Sequence, residues 1–326
     1  MARPVELAFL RACRRLIPEG SGVLAAVSGG GDSVALVHLL RQFAGRRGWR
    51  VAVAHLDHGL RRGSRADRLF VERLARGLGL RCVADRREVG ALARPGESPE
   101  ESARRVRRDF LLEAASQTGC ERIATGHTLD DQAETILMRL ARGAGPTALT
   151  GMSALGPGPF VRPLLELERL ELRDHLERKG LDFRDDPTNR DQRFDRNRVR
   201  RLVLPALAAA LNPRAARHLV QAAGRFREDS RHLDAVAEAA LEGLSRLDRR
   251  GRLALEASRL VELAPTVGKR VARRALERAG ADPRRIIACH VESLIDLARG
   301  GNGRRASLPN GMTAERRAGL LLLGRS

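Results

Sequence analysis

A short apolar run followed by a glycine cluster constrains the fold of this chain more than any other feature. Val23–Val27 has the composition of a buried strand, Ser28–Ser33 reads Ser-Gly-Gly-Gly-Asp-Ser, and Val34–Phe43 is amphipathic. A strand, a tight loop and a helix in this order aim unpaired backbone N–H groups and the positive end of the helix dipole at the loop. Glycines let phosphate oxygens approach the backbone, and Ser28 and Ser33 add hydroxyl donors. The sequence therefore predicts an anion-binding loop.

Asp32 distinguishes this loop from a Walker A motif. The Gly-Lys-Ser/Thr ending is absent, and an acid stands where that motif places positive charge. A carboxylate beside a polyphosphate is repulsive unless a cation lies between them, so we interpret Asp32 as a magnesium ligand. A glycine-rich turn that binds nothing is the alternative, and the flanking serines and aspartate disfavour it.

Strand-like and helical patterns alternate along the first half of the chain. The predicted strands are Val23–Val27, Val51–His55, Arg81–Ala84 and Arg122–Thr125, with helical patterns at Val34–Phe43, Ser64–Leu78 and Pro99–Gln117. This alternation predicts an α/β fold whose parallel sheet is covered by helices on both faces. Ligands gather at the carboxyl ends of such strands, and three of the four runs end in polar clusters.

The second polar cluster is His55-Leu56-Asp57-His58-Gly59. Two histidines and an aspartate can bind a metal, but strand-end backbone and a glycine turn disfavour a zinc site here. In a nucleotide-binding sheet this position lies against the adenine or the ribose. We therefore expect His55 to belong to the nucleotide site.

The third polar cluster, Thr125 to Thr135, contains a histidine and three acids. If a helix begins near Leu129, His127 and Asp131 lie one turn apart and can address one ligand. We expect Asp131 to complete the magnesium site and His127 to face the phosphates. For Asp130 and Glu134, a purely local role in complementing the helix dipole stays open.

Arg104 and Arg107 lie one turn apart in the helix predicted before the fourth strand. They are candidates for contact with the triphosphate or with an incoming polynucleotide. A solvated basic helix face is the alternative in an arginine-rich chain.

Length and composition predict two domains. We place the boundary near Pro205, so that residues 1–205 bind the nucleotide and residues 206–326 form a mainly helical domain. The predicted helices there are Asn212–Leu244, with Asn212 as N-cap, then Ala264–Ala279 and Pro283–Ala298; a small β-element is expected at Arg305–Leu323.

The formal net charge of +20 favours a polyanionic partner. Only Lys179 and Lys269 among the 60 basic residues are lysines, and such a skew is typical of a GC-rich genome. The excess of positive charge is a separate property, which speeds encounter with nucleic acid. The four cysteines form no Cys-x-x-Cys pair and no apolar run spans a bilayer, so a reducing cytoplasm is the expected compartment.

The Ser28–Ser33 loop resembles that of the ATP pyrophosphatase (PP-loop) superfamily, whose members transfer AMP from ATP to an oxygen. Further motifs follow the order seen in the tRNA(Ile)-lysidine synthetase family. They are His55-x-Asp57-His58-Gly59-Leu60-Arg61, Ala103-Arg104-x-x-Arg107, Gly126-His127-x-x-Asp130-Asp131-Gln132-x-Glu134-Thr135, Gly151-Met152, Arg162-Pro163-Leu164-Leu165 and Asp186-x-x-Asn189…Arg196-Asn197-x-x-Arg200…Pro205. The resemblance covers about residues 20–207 and is looser beyond. Arg108 departs from the family's usual aromatic residue.

The resemblance implies a two-step reaction on an isoleucine tRNA with a CAU anticodon. ATP first adenylates the C2 oxygen of the wobble cytidine, and the side-chain amine of free lysine then displaces AMP to leave lysidine, which changes the codon read from AUG to AUA. The implied roles are nucleotide binding by Ser28, Gly29, Gly30, Gly31, Asp32, Ser33, His55 and Gly126; magnesium binding by Asp32 and Asp131; charge transfer at the α-phosphate by His127 and Arg107; and tRNA contact by Arg104, Asn197 and Arg200.

The lysine amine has a reference pKa of about 10.4, so attack at neutral pH needs a proton acceptor. Asp32, Asp131 and His127 are the candidates. A tRNA thiolase of the same superfamily and an inactive RNA-binding relative are the alternative functions. A homodimer and a monomer both stay open.

Overall fold

The computed structural model describes residues 4–57, 59, 64–145, 147–184, 193–283, 285–308 and 311–325. The chain divides into two compact units, residues 1–224 and 225–326. The division lies beyond the boundary that the sequence predicted near Pro205. Residues just after Pro205 stay with the first unit partly because Arg217 Nη2 lies 2.7 Å from Glu168 Oε1. The assignment of residues 206–326 to tRNA binding stays a prediction.

A parallel sheet of five strands, in the order β3-β2-β1-β4-β5, forms the centre of the first unit. The strands are β1 (Gly22–Ala26), β2 (Arg50–Asp57), β3 (Arg81–Arg86), β4 (Arg122–Thr125) and β5 (Phe160–Val161). The four predicted strands are confirmed, and the two-residue β5 was not predicted. The chain adds β2 and β3 on one side of β1 and then β4 and β5 on the other. Open α/β sheets bind ligands beside such a reversal, which here lies between β1 and β4.

Helices cover both faces of this sheet. They are α1 (Pro4–Leu16), α2 (Gly31–Arg47), α3 (Ser64–Gly77), α4 (Pro99–Thr118), α5 (Leu129–Ala141), α6 (Arg169–Arg178), α7 (Asp195–Arg198) and α8 (Leu204–Ala210), with a π-helical turn at 199–203. β1 is buried along its whole length. Val23 and Ala25 belong to the larger core cluster, which includes Phe9 and Leu36, whereas Leu24 belongs to the cluster formed with α4. The predicted α/β class is therefore confirmed.

Local sequence signals set the ends of α4. Ser98 caps the helix by accepting from Glu101 N, and Glu101 Oε2 accepts in return from Ser98 N at 2.9 Å. Pro99 occupies the first turn, and Gly119 ends the helix with φ +65°. This capping box and left-handed glycine explain why the predicted helix over 99–117 agrees closely with the structure.

The second unit combines helices with a five-stranded antiparallel sheet in the order β6-β7-β10-β9-β8. Its elements are α9 (Ala215–Leu244, which crosses the division), β6 (Ser245–Leu247), β7 (Leu253–Glu256), α10 (Ala257–Glu262), α11 (Pro265–Arg278), α12 (Ala288–Arg299), β8 (Arg305–Leu308), β9 (Met312–Arg317) and β10 (Leu320–Arg325). The terminal β-element is confirmed, but β6 and β7 were missed because they are short. Among the helices in the described part of the chain, none combines the length and apolar character needed to cross a bilayer.

Two helix starts in this region differ from the prediction. The helical span of α9 begins at Ala215, and Asn212 lies before it with its Oδ1 accepting from Arg214 N at 2.8 Å, the bond that an N-cap residue makes. The helix expected from Pro283 begins only at Ala288.

Candidate active site

The loop between β1 and α2 has the geometry expected of an anion site. Gly29 has φ +96°, a backbone conformation that side-chain-bearing residues rarely adopt. The Ser33 hydroxyl donates to Gly30 O at 2.8 Å and accepts from Ser28 N at 3.2 Å. Ser33 therefore holds the loop in shape in addition to bordering the site. Because α2 begins at Gly31, Asp32 lies in its first turn.

Gly126, at the end of β4, lies directly against this loop. A Cβ atom placed on Gly126 would come within 3.2 Å of both the Asp32 carbonyl carbon and Ser33 N. Since those atoms are backbone, they cannot move aside without shifting the loop. Gly126 therefore brings the ends of β1 and β4 together, which is a packing role that the sequence did not reveal.

A cavity of about 340 Å³ opens beside the ends of these two strands. It is lined by Ala26, Ser28, Gly30, Gly31, Asp32, Ser33, Arg107, Gly126, His127, Asp131, Arg169, Arg173, Arg184, Arg196, Asn197 and Arg200. Most of the predicted site residues thus come together here. The cavity lies where the strand order reverses, the position at which such sheets bind ligands.

Three predicted site residues do not line the cavity. His55 is buried, and its Nδ1 lies 2.9 Å from Val27 O, so it supports the strand that precedes the loop. Arg104 is exposed and bonds Glu100 at 2.6 Å. Gly29 shapes the loop and faces Phe70. Five motif residues lie outside the described residues: His58, Leu60, Arg61, Asp186 and Asn189.

His127 is a neutral side chain at the edge of the cavity. Its Nδ1 lies 2.9 Å from Thr125 Oγ1, and the Thr125 hydroxyl also reaches Val161 O at 3.4 Å. Burial lowers the pKa of His127 to about 4, because the charged imidazolium loses hydration and nearby arginines oppose it. The imidazole is therefore uncharged at neutral pH.

Asp131 is held from both sides. Its Oδ2 accepts from Thr128 N at 2.9 Å and from Thr128 Oγ1 at 3.0 Å, which caps α5. Its Oδ1 accepts from Arg196 at 2.9 Å and from Arg169 and Arg200 at 3.1 Å each. Burial by itself raises the pKa of this carboxyl, but the guanidinium groups outweigh burial and hold the pKa at about 2.

Glu134 is the most deeply buried acid of this cluster. Its side chain is fully buried and lies 2.7 Å from both Arg196 Nε and Arg200 Nε, with Arg169 Nη1 at 3.6 Å. Glu134 therefore does more than complement the helix dipole: it holds two arginines of the segment that follows residue 193. Arg200, predicted from sequence to contact tRNA, is bound to these acids.

Four arginines that line the cavity were missing from the predicted site: Arg169, Arg173, Arg184 and Arg196. Arg169 offers a signal that sequence reasoning can use. It occupies the first turn of α6, where the helix dipole opposes a cation, so a compensating acid has to lie nearby. Arg173 stacks over the Phe183 ring at 5.8 Å, and Arg184 bonds Asp67 at 2.5 Å.

The acids of the cavity suit a magnesium ion that also binds substrate phosphates. Asp32 and Asp131 contact the same guanidinium, that of Arg169, so their carboxylates border one space. Burial raises the pKa of Asp32, partly offset by Arg169. No cluster of three or more His, Cys, Asp or Glu forms a metal cage among the residues described, and magnesium typically needs only one or two carboxylates beside phosphates.

Comparison with known proteins agrees with this geometry. The PP-loop domain family model matches residues 5–207. The chain is 40% identical to the tRNA(Ile)-lysidine synthase of Salinispora tropica, over 98% of this chain and 96% of the relative. It is 41% identical to the tRNA(Ile)-lysidine synthase of Thermus thermophilus, over 97% of this chain and 59% of that longer relative.

Among solved structures, the U34-tRNA thiolase NcsA of Methanococcus maripaludis, which carries a [4Fe-4S] cluster, shares the fold. The TM-score is 0.58 at 19% identity, over 69% of this chain and 78% of that chain. None of the cavity-lining residues described above is a cysteine, and burial raises the pKa of Cys82 to about 11. The family model and the sequence relatives together show that this chain belongs to the tRNA(Ile)-lysidine synthase family of PP-loop proteins.

Proposed function

We propose that this chain is a ligase that forms lysidine at the wobble cytidine of tRNA(Ile) with a CAU anticodon. ATP adenylates the C2 oxygen and releases pyrophosphate; the side-chain amine of free lysine then attacks C2 and releases AMP. The observation that carries the proposal is the cavity at the β1–β4 reversal, where the glycine loop meets His127, Asp131 and Arg107 in a chain of this family.

The first step needs groups that bind the ATP phosphates and that neutralise charge as pyrophosphate leaves. The backbone N–H groups of the loop at the start of α2 bind phosphate oxygens. Asp32 and Asp131 would hold a magnesium ion, with the ion replacing a guanidinium contact at Asp131 Oδ1, and it would neutralise charge on the phosphates. Arg107 lines the cavity, and no acid in the described part of the chain pairs with it. It is therefore available to stabilise charge at the α-phosphate.

The second step needs a group that accepts a proton from the lysine amine. Asp131 is a poor base because backbone, hydroxyl and guanidinium donors engage both its oxygens and its pKa is about 2. Asp32 carries a cation in this proposal. His127 remains: with the Thr125 hydroxyl directed to Val161 O, Nδ1 carries the hydrogen and donates to Thr125, which leaves Nε2 as an acceptor. We assign the proton acceptor to His127.

The RNA side of the site is assigned to Asn197 and Arg200, which line the cavity on the segment after residue 193. The net charge of +20 supports binding of a polyanion. Free lysine, magnesium and a cytoplasmic location complete the proposal. A homodimer stays an untested prediction.

Reconstitution tests this function. Purified protein with ATP, magnesium, lysine and a tRNA(Ile) transcript bearing CAU should release AMP and pyrophosphate and produce a cytidine that is heavier by one lysine minus water. A tRNA(Met) transcript with the same anticodon is the control for tRNA identity. Release of ADP and orthophosphate, or absence of the modified nucleoside, would overturn the proposal.

A further inference from the structure

The strongest unexplained feature of the cavity is Arg169, which neither the sequence motifs nor the proposed mechanism uses. We propose that Arg169 is a positioning residue that sets the separation of Asp32 and Asp131 for adenylyl transfer. This inference rests on the proposed function, since it names a further residue for the same reaction.

One guanidinium reaches acids in the first turns of two different helices, α2 and α5. Arg169 Nε donates to Asp32 Oδ2 at 3.0 Å, and its Nη2 donates to Asp131 Oδ1 at 3.1 Å. Asp32 follows β1, and Asp131 follows β4. Arg169 therefore spans the crevice where the strand order reverses, and it contacts the carboxylates on both sides of the cavity.

The backbone around Arg169 is tied to the same place. Arg169 N donates to Asp130 Oδ2 at 2.7 Å, and Leu129 N donates to Leu167 O at 2.9 Å. These two bonds join the start of α6 to the start of α5. The backbone of Arg169 is thus anchored, because it cannot move independently of the helix that carries Asp131.

Because the Arg169 side chain is largely shielded from water, its charge needs acidic partners. Its side chain is only 17% exposed, and the dipole of α6 disfavours a cation in the first turn. Two carboxylates bordering one space also repel each other unless a cation stands between them. The planar guanidinium presents separate donors to the two acids at a fixed spacing, which the compact ammonium of a lysine does not provide.

The test separates chemistry from binding. In Arg169→Ala, the rate constant of adenylation, followed as AMP transfer to tRNA, should fall by about 100-fold, since misplacement of reacting groups by about 1 Å costs that much. The ATP KM should change by less than about threefold, because the loop N–H groups still grip the phosphates. Guanidinium ion in the assay should restore part of the rate constant, and tetramethylammonium should not.

Arg178→Ala is the matched control, because Arg178 is exposed on the same helix and pairs with no acid among the described residues. It should retain the wild-type rate constant and show no response to guanidinium. If the alanine variant does not fold, Arg169→Lys replaces it in the test, because lysine keeps the charge but lacks the planar guanidinium. In Arg169→Lys too, the adenylation rate constant should fall more than the affinity for ATP.

Two outcomes overturn the inference: an Arg169→Ala rate within about threefold of wild type, or a loss that lies wholly in ATP affinity, measured by calorimetry with a non-hydrolysable analogue. Failure of the proposed function itself would be seen earlier, because wild-type protein would then produce no lysidine.

Discussion

The same residue type, arginine, forms two different kinds of ion pair in the two units of this protein. In the first unit, Arg169, Arg196 and Arg200 surround Asp131 and Glu134, whose side chains are 10% and 0% exposed. These contacts enclose acids that are largely or fully shielded from water. They bring together residues from α5, α6 and the segment after residue 193.

In the second unit, α11 presents its arginines to α9. Arg270 lies 2.6 Å from Asp234, Arg274 lies 2.5 Å from Glu238, and Arg278 also contacts Glu238. The two acids are 37% and 36% exposed. The distances match those of the first unit, and only the burial differs.

Burial, more than distance, therefore decides how much an ion pair contributes to stability. Removing one partner of a buried pair costs about 3–5 kcal/mol, whereas exposed pairs contribute about 0–1 kcal/mol. It also refines the interpretation of the net charge. Part of the basic face of α11 is neutralised within its own unit, so arginine content alone does not locate an RNA surface.

The largest expected effect is a loss of stability when the buried acid of the first unit is replaced, compared with replacement of an exposed acid in the second unit. Glu134→Gln removes a fully buried charge that two partly buried arginines share with Asp131, and we expect a loss of about 3–5 kcal/mol in unfolding free energy. The single tryptophan, Trp49, is buried in the first unit, so its fluorescence during urea unfolding reports on this unit.

Glu238→Gln is the matched change in the second unit, and followed by circular dichroism it should cost at most about 1 kcal/mol. Equal losses of unfolding free energy in the two variants would contradict this expectation, because burial would then not distinguish the two clusters.

The next effect concerns backbone packing around the buried cluster. Gly126→Ala places a methyl group within 3.2 Å of the Asp32 carbonyl carbon, so the loop has to shift, and we expect the KM for ATP to rise about tenfold. Gly45→Ala in α2 is the control, since its Cβ meets nothing within 4 Å. It should be neutral or stabilise the helix by about 0.5–1 kcal/mol. An unchanged KM in Gly126→Ala would show that the loop tolerates displacement.

Burial should also be visible in the pH dependence of stability. The folded-state pKa of His127 is about 4, below its ordinary value near 6.5, so between these values the unfolded chain binds a proton that the folded chain excludes. The contribution of His127 to stability is therefore complete above about pH 6.5 and is lost as the pH falls towards 4. Urea unfolding of His127→Gln should show a shallower decline over this window, and a parallel decline in both proteins would contradict the assignment.

The smallest expected effect concerns the salt dependence of RNA binding, which distinguishes paired from unpaired arginines in the second unit. Arg249 and Arg250 are exposed at the turn between β6 and β7, and neither side chain pairs with an acid in the described ranges. If this hairpin contacts RNA, Arg249→Gln/Arg250→Gln should reduce the slope of log affinity against log salt by about two. Arg274→Gln, whose charge is already paired with Glu238, should reduce it by less than about one. The reverse order would place RNA on α11.

Much of the first unit was predictable because its signals are local. The strand–glycine–helix order predicted the loop, and regular β/α alternation predicted the sheet that brings Asp32, His127 and Asp131 to one cavity. The short strands β5, β6 and β7 were missed, because two to four residues carry too little pattern to distinguish a strand from a turn. For His55, the sequence predicted a place at the end of a strand, but its bond to Val27 O depends on the neighbouring strand.

Residue order and spacing within short segments were sufficient to predict the fold class, the glycine loop after β1 and the family. The arginines that border the site could not be identified in this way, because their partners are distant in sequence. Arg169 is 137 residues from Asp32 in sequence, and Arg200 is 66 from Glu134. Whether such a pair is buried depends on how distant segments pack, and burial decides whether a charge is a solvated side chain or part of the site.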